Sequence, residues 1–290
     1  SYDLIEWGKP FEKSQHALPE PTLSEVLIRV TAAGLCHSDL HVQKGYMDLG
    51  EEGRLTFADR GAQLPMTFGH EIAGIVEAVG DKVKNVSIGQ QVLVFPWIGC
   101  GDCLACNENR ESDCSAMRII GLKQKGGFAT HCLIENEKFL VNIDGLDAAD
   151  VVPHACSGIT VYNALEKIGP LRDGEWLAVM GCGGLGLNAI AIARAMGFDN
   201  IIGIDIDNSK LDAARQMGAS KTLNSKSANA VADLQKFAES RLMAVIDTFG
   251  GESTGQLAVR TLAKSGQYLL VGQAGGDFKM PQVWLPQKAM

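Results

Sequence analysis

The chain has 290 residues, of which 46% are hydrophobic and 21% are charged, and its formal net charge at pH 7 is −8. This composition supplies enough apolar side chains for packed cores and excludes general disorder, and the length fits one large domain or two ordinary domains. The acidic balance disfavours binding to nucleic acid, because a protein that neutralises phosphate groups usually carries excess positive charge.

The first half of the chain is predicted to be rich in β-strands. Between about residues 22 and 140, short apolar runs are separated by Gly, Asp and Asn, which is the pattern of strands joined by turns. The runs are LSEVLIRVTAAG, HEIAGIVEAVG, QQVLVF and FATHCLI. The N-terminal stretch SYDLIEWGKP has neither the basic nor the apolar region of a secretory signal, so we expect a cytoplasmic protein.

Four of the eight cysteines lie close together in this half, with the spacing C-x2-C-x2-C-x7-C; they are Cys100, Cys103, Cys106 and Cys114. A disulfide framework belongs to short secreted chains and does not bunch its sulfurs in this way, so a metal site is expected. Four thiolates form a closed tetrahedral shell around Zn²⁺, which is typical of a structural site. An iron–sulfur cluster and thiols without a metal are the alternatives.

The second half alternates strands with helices. Strand-like runs are WLAVMG, IIGIDID, MAVIDTFG and YLLVG; helix-like runs are GITVYNALEKI, LGLNAIAIARAMG and SKLDAARQMGA, with further helices expected near 226–240 and 253–264. This pattern predicts a doubly wound parallel sheet, and the change of rhythm places a domain boundary near residue 156. The apolar stretch 177–198 is interrupted by glycines and Arg194, so no membrane span is expected.

A glycine motif, G-x-G-x-x-G, follows the first of these strands and opens a helix; its glycines are Gly181, Gly183 and Gly186. In this context the glycines allow a tight turn and close approach to a pyrophosphate, which lies at the helix N-terminus. Asp205 ends the next strand, where a carboxylate accepts hydrogen bonds from a ribose and repels a 2′-phosphate, so NAD is predicted over NADP. Asp207 is the weaker candidate for this role, and a glycine turn in another α/β protein is the alternative.

Three more residues point to a second metal site, but only as a set. Cys36 follows a predicted strand, His70 precedes another, and Cys156 lies at the domain boundary. Taken singly, each has an ordinary structural interpretation, as a buried thiol or a core imidazole.

Together these segments resemble the zinc-dependent medium-chain alcohol dehydrogenase family over about residues 4–285. The resemblance is carried by GLCHSDLH, by Gly69-His70-Glu71, by the cysteine lobe, by ACSGITVYNAL and by the glycine motif with Asp205. It implies an α/β protein in which a β-rich GroES-like catalytic domain, residues 1–156, carries a structural zinc lobe at about 98–116. A Rossmann domain that binds NAD, residues 157–290, follows it.

The resemblance also implies two Zn²⁺ ions per chain and a role for each matching residue. Cys36, His70 and Cys156 correspond to the ligands of a catalytic zinc with a fourth position for water or substrate oxygen, and the four lobe cysteines to those of a structural zinc. The remaining catalytic matches are Glu71 near the metal, Asp39 behind the ligand histidine, and Ser38 and His41 in a proton relay. The cofactor-binding matches are Thr160 and Leu185 at the nicotinamide, Lys210 at the ribose, His37 at the pyrophosphate, and Gly184 and Gly272 in the cofactor loops.

The expected function is that of an NAD-dependent zinc alcohol dehydrogenase or carbonyl reductase, which transfers hydride between an alcohol and a nicotinamide. Its substrate is expected to be a small alcohol, aldehyde or ketone, and Phe95 and Trp97 favour apolar substituents if they line the pocket. The alternatives are a nucleotide- and zinc-binding protein without turnover, such as a truncated or inactive relative, and the zinc-free quinone reductase branch, which both metal patterns disfavour. A homodimer or homotetramer is implied.

Two features depart from the family pattern. The loop KGYMDLGEEGRLTFADRGAQLP, between Cys36 and His70, is longer than in common members and is expected to be an exposed insertion, with a substrate-shaping or oligomer-contact role as the alternative. The chain also stops at Met290, where family members usually continue for some fifty residues that return to the catalytic domain, so a fragment is expected.

Overall fold

The computed structural model describes residues 1–289. The chain divides into two compact units, one made of residues 1–47 and 55–156 and the other of residues 48–54 and the residues from 157 onwards. Within residues 1–289, no helix is both long and apolar enough to cross a membrane.

The first half of the chain is mainly antiparallel β-structure. Its strands are β1 (Tyr2–Leu4), β2 (Glu12–Lys13), β3 (Val26–Gly34), β4 (Tyr46–Asp48), β5 (Arg54–Thr56), β6 (Met66–Thr67), β7 (Glu71–Val79), β8 (Gln91–Val94), β9 (Trp97–Ile98), β10 (Arg118–Ile119), β11 (His131–Ile134) and β12 (Leu140–Asn142). Its helices are α1 (His37–Lys44), α2 (Leu104–Asn107) and α3 (Ala148–Val151), with short 3₁₀ helices at Gly50–Glu52, Glu111–Asp113, Glu137–Phe139 and Val152–Ala155.

A five-stranded sheet in the order β11-β3-β7-β8-β12 forms the body of the first unit. The alternating apolar residues of β3 and β7 pack into one core, because successive side chains of a strand point to opposite faces. β3 and β7 pair antiparallel with Gly34 opposite Glu71. The segment that follows β3 and the segment that precedes β7 therefore lie at the same end of the sheet.

The second unit contains a five-stranded parallel sheet in the order β15-β14-β13-β16-β17. The strands are β13 (Trp176–Met180), β14 (Ile201–Asp205), β15 (Lys221–Asn224), β16 (Leu242–Asp247) and β17 (Gln267–Leu270). The helices are α4 (Ser157–Ile168), α5 (Gly184–Ala195), α6 (Asn208–Gln216), α7 (Ala230–Phe237), α8 (Glu252–Thr261) and α9 (Trp284–Lys288).

Helices cover both faces of this sheet. Leu177 and Val179 of β13 pack into a core with α4, α5 and α6, whereas Ala178 and Met180 pack into a second core with α7 and α8. All five residues of β13 are buried, which explains its uninterrupted apolar sequence. The carboxyl ends of β13, β14 and β16 lie side by side, and loops at this edge are where open parallel sheets bind ligands.

The structure differs from the sequence prediction between residues 219 and 240. The strand β15 was not predicted, because it lies at the sheet edge and only Leu223 of its four residues is buried. The helix expected near 226–240 begins only at Ala230 and ends at Phe237. Side chains of Asn224 and Ser227 accept hydrogen bonds from nearby backbone N–H groups and hold residues 224–229 in turns instead.

Candidate functional site

Four potential metal ligands from three distant segments meet in the first unit. Cys36 follows β3 and precedes α1, His70 and Glu71 lie at the start of β7, and Cys156 follows the 3₁₀ helix Val152–Ala155, which contacts β3 and β7. One ligand atom from each of the four residues lies within 4.8 Å of all the others, and the two sulfur atoms are 4.0 Å apart.

Asp39 organises this cluster from inside α1. One of its carboxylate oxygens lies 3.3 Å from Nδ1 of His70, and the other accepts the backbone N–H of Cys36 at 3.0 Å. The Asp39 side chain is buried. Because Nδ1 of His70 faces a carboxylate, Nε2 is the ring nitrogen that remains for a metal, as in most histidine–metal sites.

The four ligand residues of the cluster shift one another's pKa values. The hydrogen bond from the Cys156 thiol lowers the pKa of Cys36 to about 3 against the opposing effect of burial, and the same contact raises the pKa of Cys156. Burial alone would depress the pKa of His70, but Asp39 and the Cys36 thiolate raise it to about 10. Burial and the Cys36 charge raise the pKa of Glu71 to about 7. His70 and Cys156 thus hold protons that a bound metal ion would displace.

The donor set fits zinc. A tetrahedral ion with zinc–sulfur bonds of ~2.3 Å has sulfur–sulfur edges of ~3.8 Å, and the Cys36–Cys156 separation of 4.0 Å is close to this. Two sulfurs and an imidazole leave one position, which the Glu71 carboxylate is near enough to reach. Such a set matches a zinc site with an exchangeable fourth ligand.

The four lobe cysteines also converge. Their sulfurs all lie within 4.8 Å of one another, with separations of 3.9 Å for Cys100–Cys106 and 3.5 Å for Cys103–Cys106. These separations exceed the ~2.05 Å of a disulfide bond and match the edges of a tetrahedron around one ion. An iron–sulfur cluster would instead distribute its sulfurs over several iron atoms.

The glycine motif forms a tight turn at the carboxyl end of β13. Gly181 has a φ of +87°, a region that glycine adopts without strain, and α5 begins at Gly184. A Cβ on Gly186 would collide with the Gly181 carbonyl, so the helix can pack this closely against the turn only because residue 186 is a glycine. The first backbone N–H groups of α5 have no partner within the helix and are therefore available to an anion.

Asp205 lies beside this turn, at the end of β14. Its carboxylate accepts the backbone N–H groups of Cys182, Ile206 and Asp207 at 2.7, 2.7 and 3.0 Å. Asp207 instead caps α6, accepting the N–H of Ser209 at 2.8 Å. The structure therefore separates the two acidic residues: one is held at the motif, and the other has a helix-capping role.

The other predicted residues are dispersed over the two units. In the first unit, Ser38 lies on α1 beyond the cluster, and the rings of His37 and His41 stack edge to face at 5.0 Å. In the second, Thr160 lies on α4, Leu185 in the first turn of α5, Lys210 on the exposed side of α6, and Gly272 after β17. Gly183 and Gly184 lie at the start of α5.

Two kinds of residue escaped the sequence prediction. A Cβ on Gly34 would collide with the Glu71 side chain, so this glycine provides the space that Glu71 occupies. Asp247 is a fully buried carboxylate at the end of β16, opposite Met180 of β13, whose partner on β14 is Ile204, the residue before Asp205. Its signal was the ending of MAVID, which repeats the acidic ending of IIGID.

The tip of the long loop before His70 is mostly exposed, as the sequence predicts, but it also contacts other residues of the second unit. The tip belongs to the second unit, where the backbone N–H of Glu51 donates to Asp277 at 2.9 Å and the Glu51 carboxylate pairs with Lys279 at 2.5 Å. Close approaches at Gly50 and Gly275 leave no room for a Cβ. The tip is thus packed on residues 275–279.

Comparison with known proteins gives matches over most of the chain. Residues 22–145 match the family model for the alcohol dehydrogenase GroES-like domain, and residues 184–290 match that for zinc-binding dehydrogenase. An NAD-dependent alcohol dehydrogenase of Sulfurisphaera tokodaii is 39% identical over 95% of this chain and 79% of its own. One of Saccharolobus solfataricus is 38% identical over 94% of this chain and 78% of its own.

A solved structure gives the same result for the fold. The alcohol dehydrogenase of Aeropyrum pernix matches with a TM-score of 0.88 and 26% identity, covering 99% of this chain and 82% of that one. The predicted fold class, a GroES-like β-rich domain with a Rossmann sheet, is therefore confirmed.

Proposed function

The chain belongs to the zinc-dependent medium-chain alcohol dehydrogenase family, and on that premise we propose that Cys36, His70 and Cys156 hold the zinc ion at which it works. The protein is an NAD-dependent alcohol dehydrogenase that interconverts an alcohol and its carbonyl product. The observation that carries the assignment is the convergence of two sulfurs, an imidazole and a carboxylate oxygen within 4.8 Å.

Each residue of the cluster has a defined task. When bound, zinc supplies a Lewis acid that polarises the substrate oxygen. Cys36 and Cys156 provide thiolate ligands, and Asp39 fixes the His70 ring with Nε2 free to coordinate. The Glu71 carboxylate, buried beside the ligands, is the group that can fill the fourth position between substrates. Asp39 thus acts as a positioning residue.

The cofactor is NAD, which accepts or returns the hydride. We assign its pyrophosphate to the first backbone N–H groups of α5, next to Gly183 and Gly184. The Asp205 carboxylate lies beside the motif, and with three backbone N–H groups bound it keeps about one lone-pair site for a ribose hydroxyl, while its charge opposes a 2′-phosphate. Lys210, Thr160, Leu185, His37 and Gly272 keep the cofactor contacts that family membership suggests.

The proton released from the alcohol needs an exit, and Ser38 and His41 are proposed as its relay. Both lie on α1, three residues apart and therefore neighbours on one helix face. Burial, helped by the charges of His37 and Lys44, lowers the pKa of His41. A neutral imidazole can accept a proton and pass it on.

We assign the second zinc ion to the lobe cysteines, where a closed shell of four sulfurs has a structural role. Small alcohols, aldehydes and ketones with apolar substituents are the proposed substrates, with the neighbouring rings of Phe95 and Trp97, 5.5 Å apart, as the proposed apolar wall of the pocket. A homodimer or homotetramer, as the family suggests, is tested by light scattering after gel filtration.

The assignment is tested by metal content and turnover together. We expect about two zinc ions per chain by mass spectrometry, and NADH formation with primary, secondary or aromatic alcohols that is lost on chelation and restored by Zn²⁺. NADP should be much the poorer cofactor, because of Asp205. One zinc per chain, or turnover that survives complete zinc removal, would refute the proposal.

A further inference from the structure

One peptide group of the glycine motif is held from both sides. The backbone N–H of Cys182 donates to the Asp205 carboxylate at 2.7 Å, and the carbonyl of Gly181 accepts a hydrogen bond from the Thr248 hydroxyl at 2.8 Å. These two groups are the ends of the same Gly181–Cys182 peptide. Asp205 comes from the end of β14 and Thr248 from the residue after β16, the strands on either side of β13.

The Thr248 hydroxyl is directed to Gly181 by its surroundings. It also lies 2.9 Å from the Met180 carbonyl, but that carbonyl already accepts the Thr248 backbone N–H at 2.8 Å. The Gly181 carbonyl is therefore the acceptor that depends on the hydroxyl. A Cβ on Gly181 would come within 2.8 Å of the Thr248 hydroxyl, which shows how closely the two residues pack.

Asp247 fixes the loop that carries Thr248. The carboxylate accepts the backbone N–H groups of Phe249 and Gly250 at 3.0 and 2.8 Å and the Tyr268 hydroxyl at 2.9 Å. Burial, helped by the neighbouring Asp247, raises the pKa of Tyr268, so the phenol keeps the proton that it donates. The carboxylate has no exposed surface, so it contacts no ligand directly. Its hydrogen bonds serve the shape of the loop.

From this arrangement we propose that Thr248 is a positioning residue for dinucleotide binding, held in place by Asp247 and Tyr268. Its hydroxyl sets the orientation of the Gly181–Cys182 peptide, which in turn aims the following backbone N–H groups at the pyrophosphate. The inference rests on the proposed cofactor site. It adds that Asp205, the residue at the ribose, supplies one half of a two-sided support for the turn.

The proposal is tested with Thr248→Val, which keeps the shape of the side chain and removes the hydroxyl, and with Thr248→Ser, which restores it. The matched control is Thr222→Val on β15, because the Thr222 hydroxyl is buried and has no hydrogen-bond partner within residues 1–289. Each zinc-loaded protein is titrated with NADH by fluorescence, and kcat and both KM values are measured.

We expect Thr248→Val to weaken NADH binding about tenfold and to raise the KM for NAD, the size of a lost buried hydrogen bond. The KM for alcohol and the zinc content should stay unchanged, which a general loss of structure would not give. Thr248→Ser should bind within about twofold of the parent, since the hydroxyl returns, and Thr222→Val should match the parent.

Parent-like NADH binding by Thr248→Val, no recovery in Thr248→Ser, or equal weakening in Thr222→Val would overturn the proposal. If Thr248→Val does not fold, Tyr268→Phe decides the matter. It removes a donor to Asp247 and should weaken NADH binding about threefold; unchanged binding would count against the proposal. A parent protein that fails to bind NADH would instead contradict the proposed function, so the two failures are distinct.

Discussion

The two cysteine clusters of the first unit differ in how they are assembled. Cys100 and Cys114 are separated by 14 positions, with the other two lobe cysteines between them, whereas Cys36 and Cys156 are 120 positions apart. Short turns bring the lobe sulfurs together. The pairing of β3 with β7 and the packing of the 3₁₀ helix Val152–Ala155 bring the other ligands together. One site therefore depends on its local sequence, and the other depends on the fold.

The strongest test of this contrast is Cys36→Ser. The change removes one ligand of the distant cluster but leaves the strand pairing intact, so we expect kcat/KM to fall by at least ~1000-fold. One zinc should remain, and the melting temperature should stay within about 5 °C of the parent. The control is Cys132→Ala, which alters a buried thiol outside both clusters. Loss of both zinc ions would contradict the separation.

Asp39→Asn tests the support behind the distant cluster. The amide keeps the shape of the side chain but loses the charge facing Nδ1 of His70. We expect zinc affinity or kcat to fall about 10- to 100-fold. The measurement is competition for zinc with a chelating dye, alongside turnover. Parent-like values in both would show that Asp39 has no positioning role.

Gly34→Ala sharpens the comparison at the strand end. The added methyl group would occupy the place of the Glu71 side chain, so we expect Glu71 to be displaced and kcat to fall about tenfold, a barrier change of ~1.4 kcal/mol. Gly89→Ala is a control for adding a methyl group to this unit, because nothing lies near its Cβ, although its positive φ costs some stability. Equal kcat in Gly34→Ala and the parent would refute this account of Glu71.

The smallest effect on turnover is expected from Cys103→Ser in the lobe. Removing a structural ligand should lower the melting temperature by about 10 °C, since a bound structural zinc contributes folding energy. The kcat per zinc at the intact cluster should stay within about threefold of the parent, because the lobe takes no part in the chemistry. A collapse of kcat in protein that is still folded would show that the two sites are coupled.

The same contrast explains what the sequence could predict. The lobe spacing and the glycine motif are local patterns with direct physical meaning, so their ligands could be named from the residues alone. Cys36, His70 and Cys156 are ordinary residues when taken singly, and only resemblance to a family joined them. β15 was missed because an edge strand buries a single side chain, Leu223, and leaves no periodic signal.

Thr248 shows a further limit of sequence reasoning. Its hydroxyl has meaning only through two carbonyls, on Met180 and Gly181, that lie 68 and 67 positions away. A threonine after a strand is common, and no spacing rule connects it to a glycine turn. Contacts between the ends of neighbouring parallel strands are set by strand order, which the alternation of strands and helices does not specify.

The packing of residues 48–54 has a practical consequence for dividing the protein. A cut between Cys156 and Ser157 would separate the second unit from a short stretch that packs on Asp277 and Lys279. An isolated fragment that starts at Ser157 would expose Asp277 and Lys279, and these two residues would lose their contacts with Glu51. Anyone who wishes to excise this half should therefore supply the stretch in trans or graft it back through a linker.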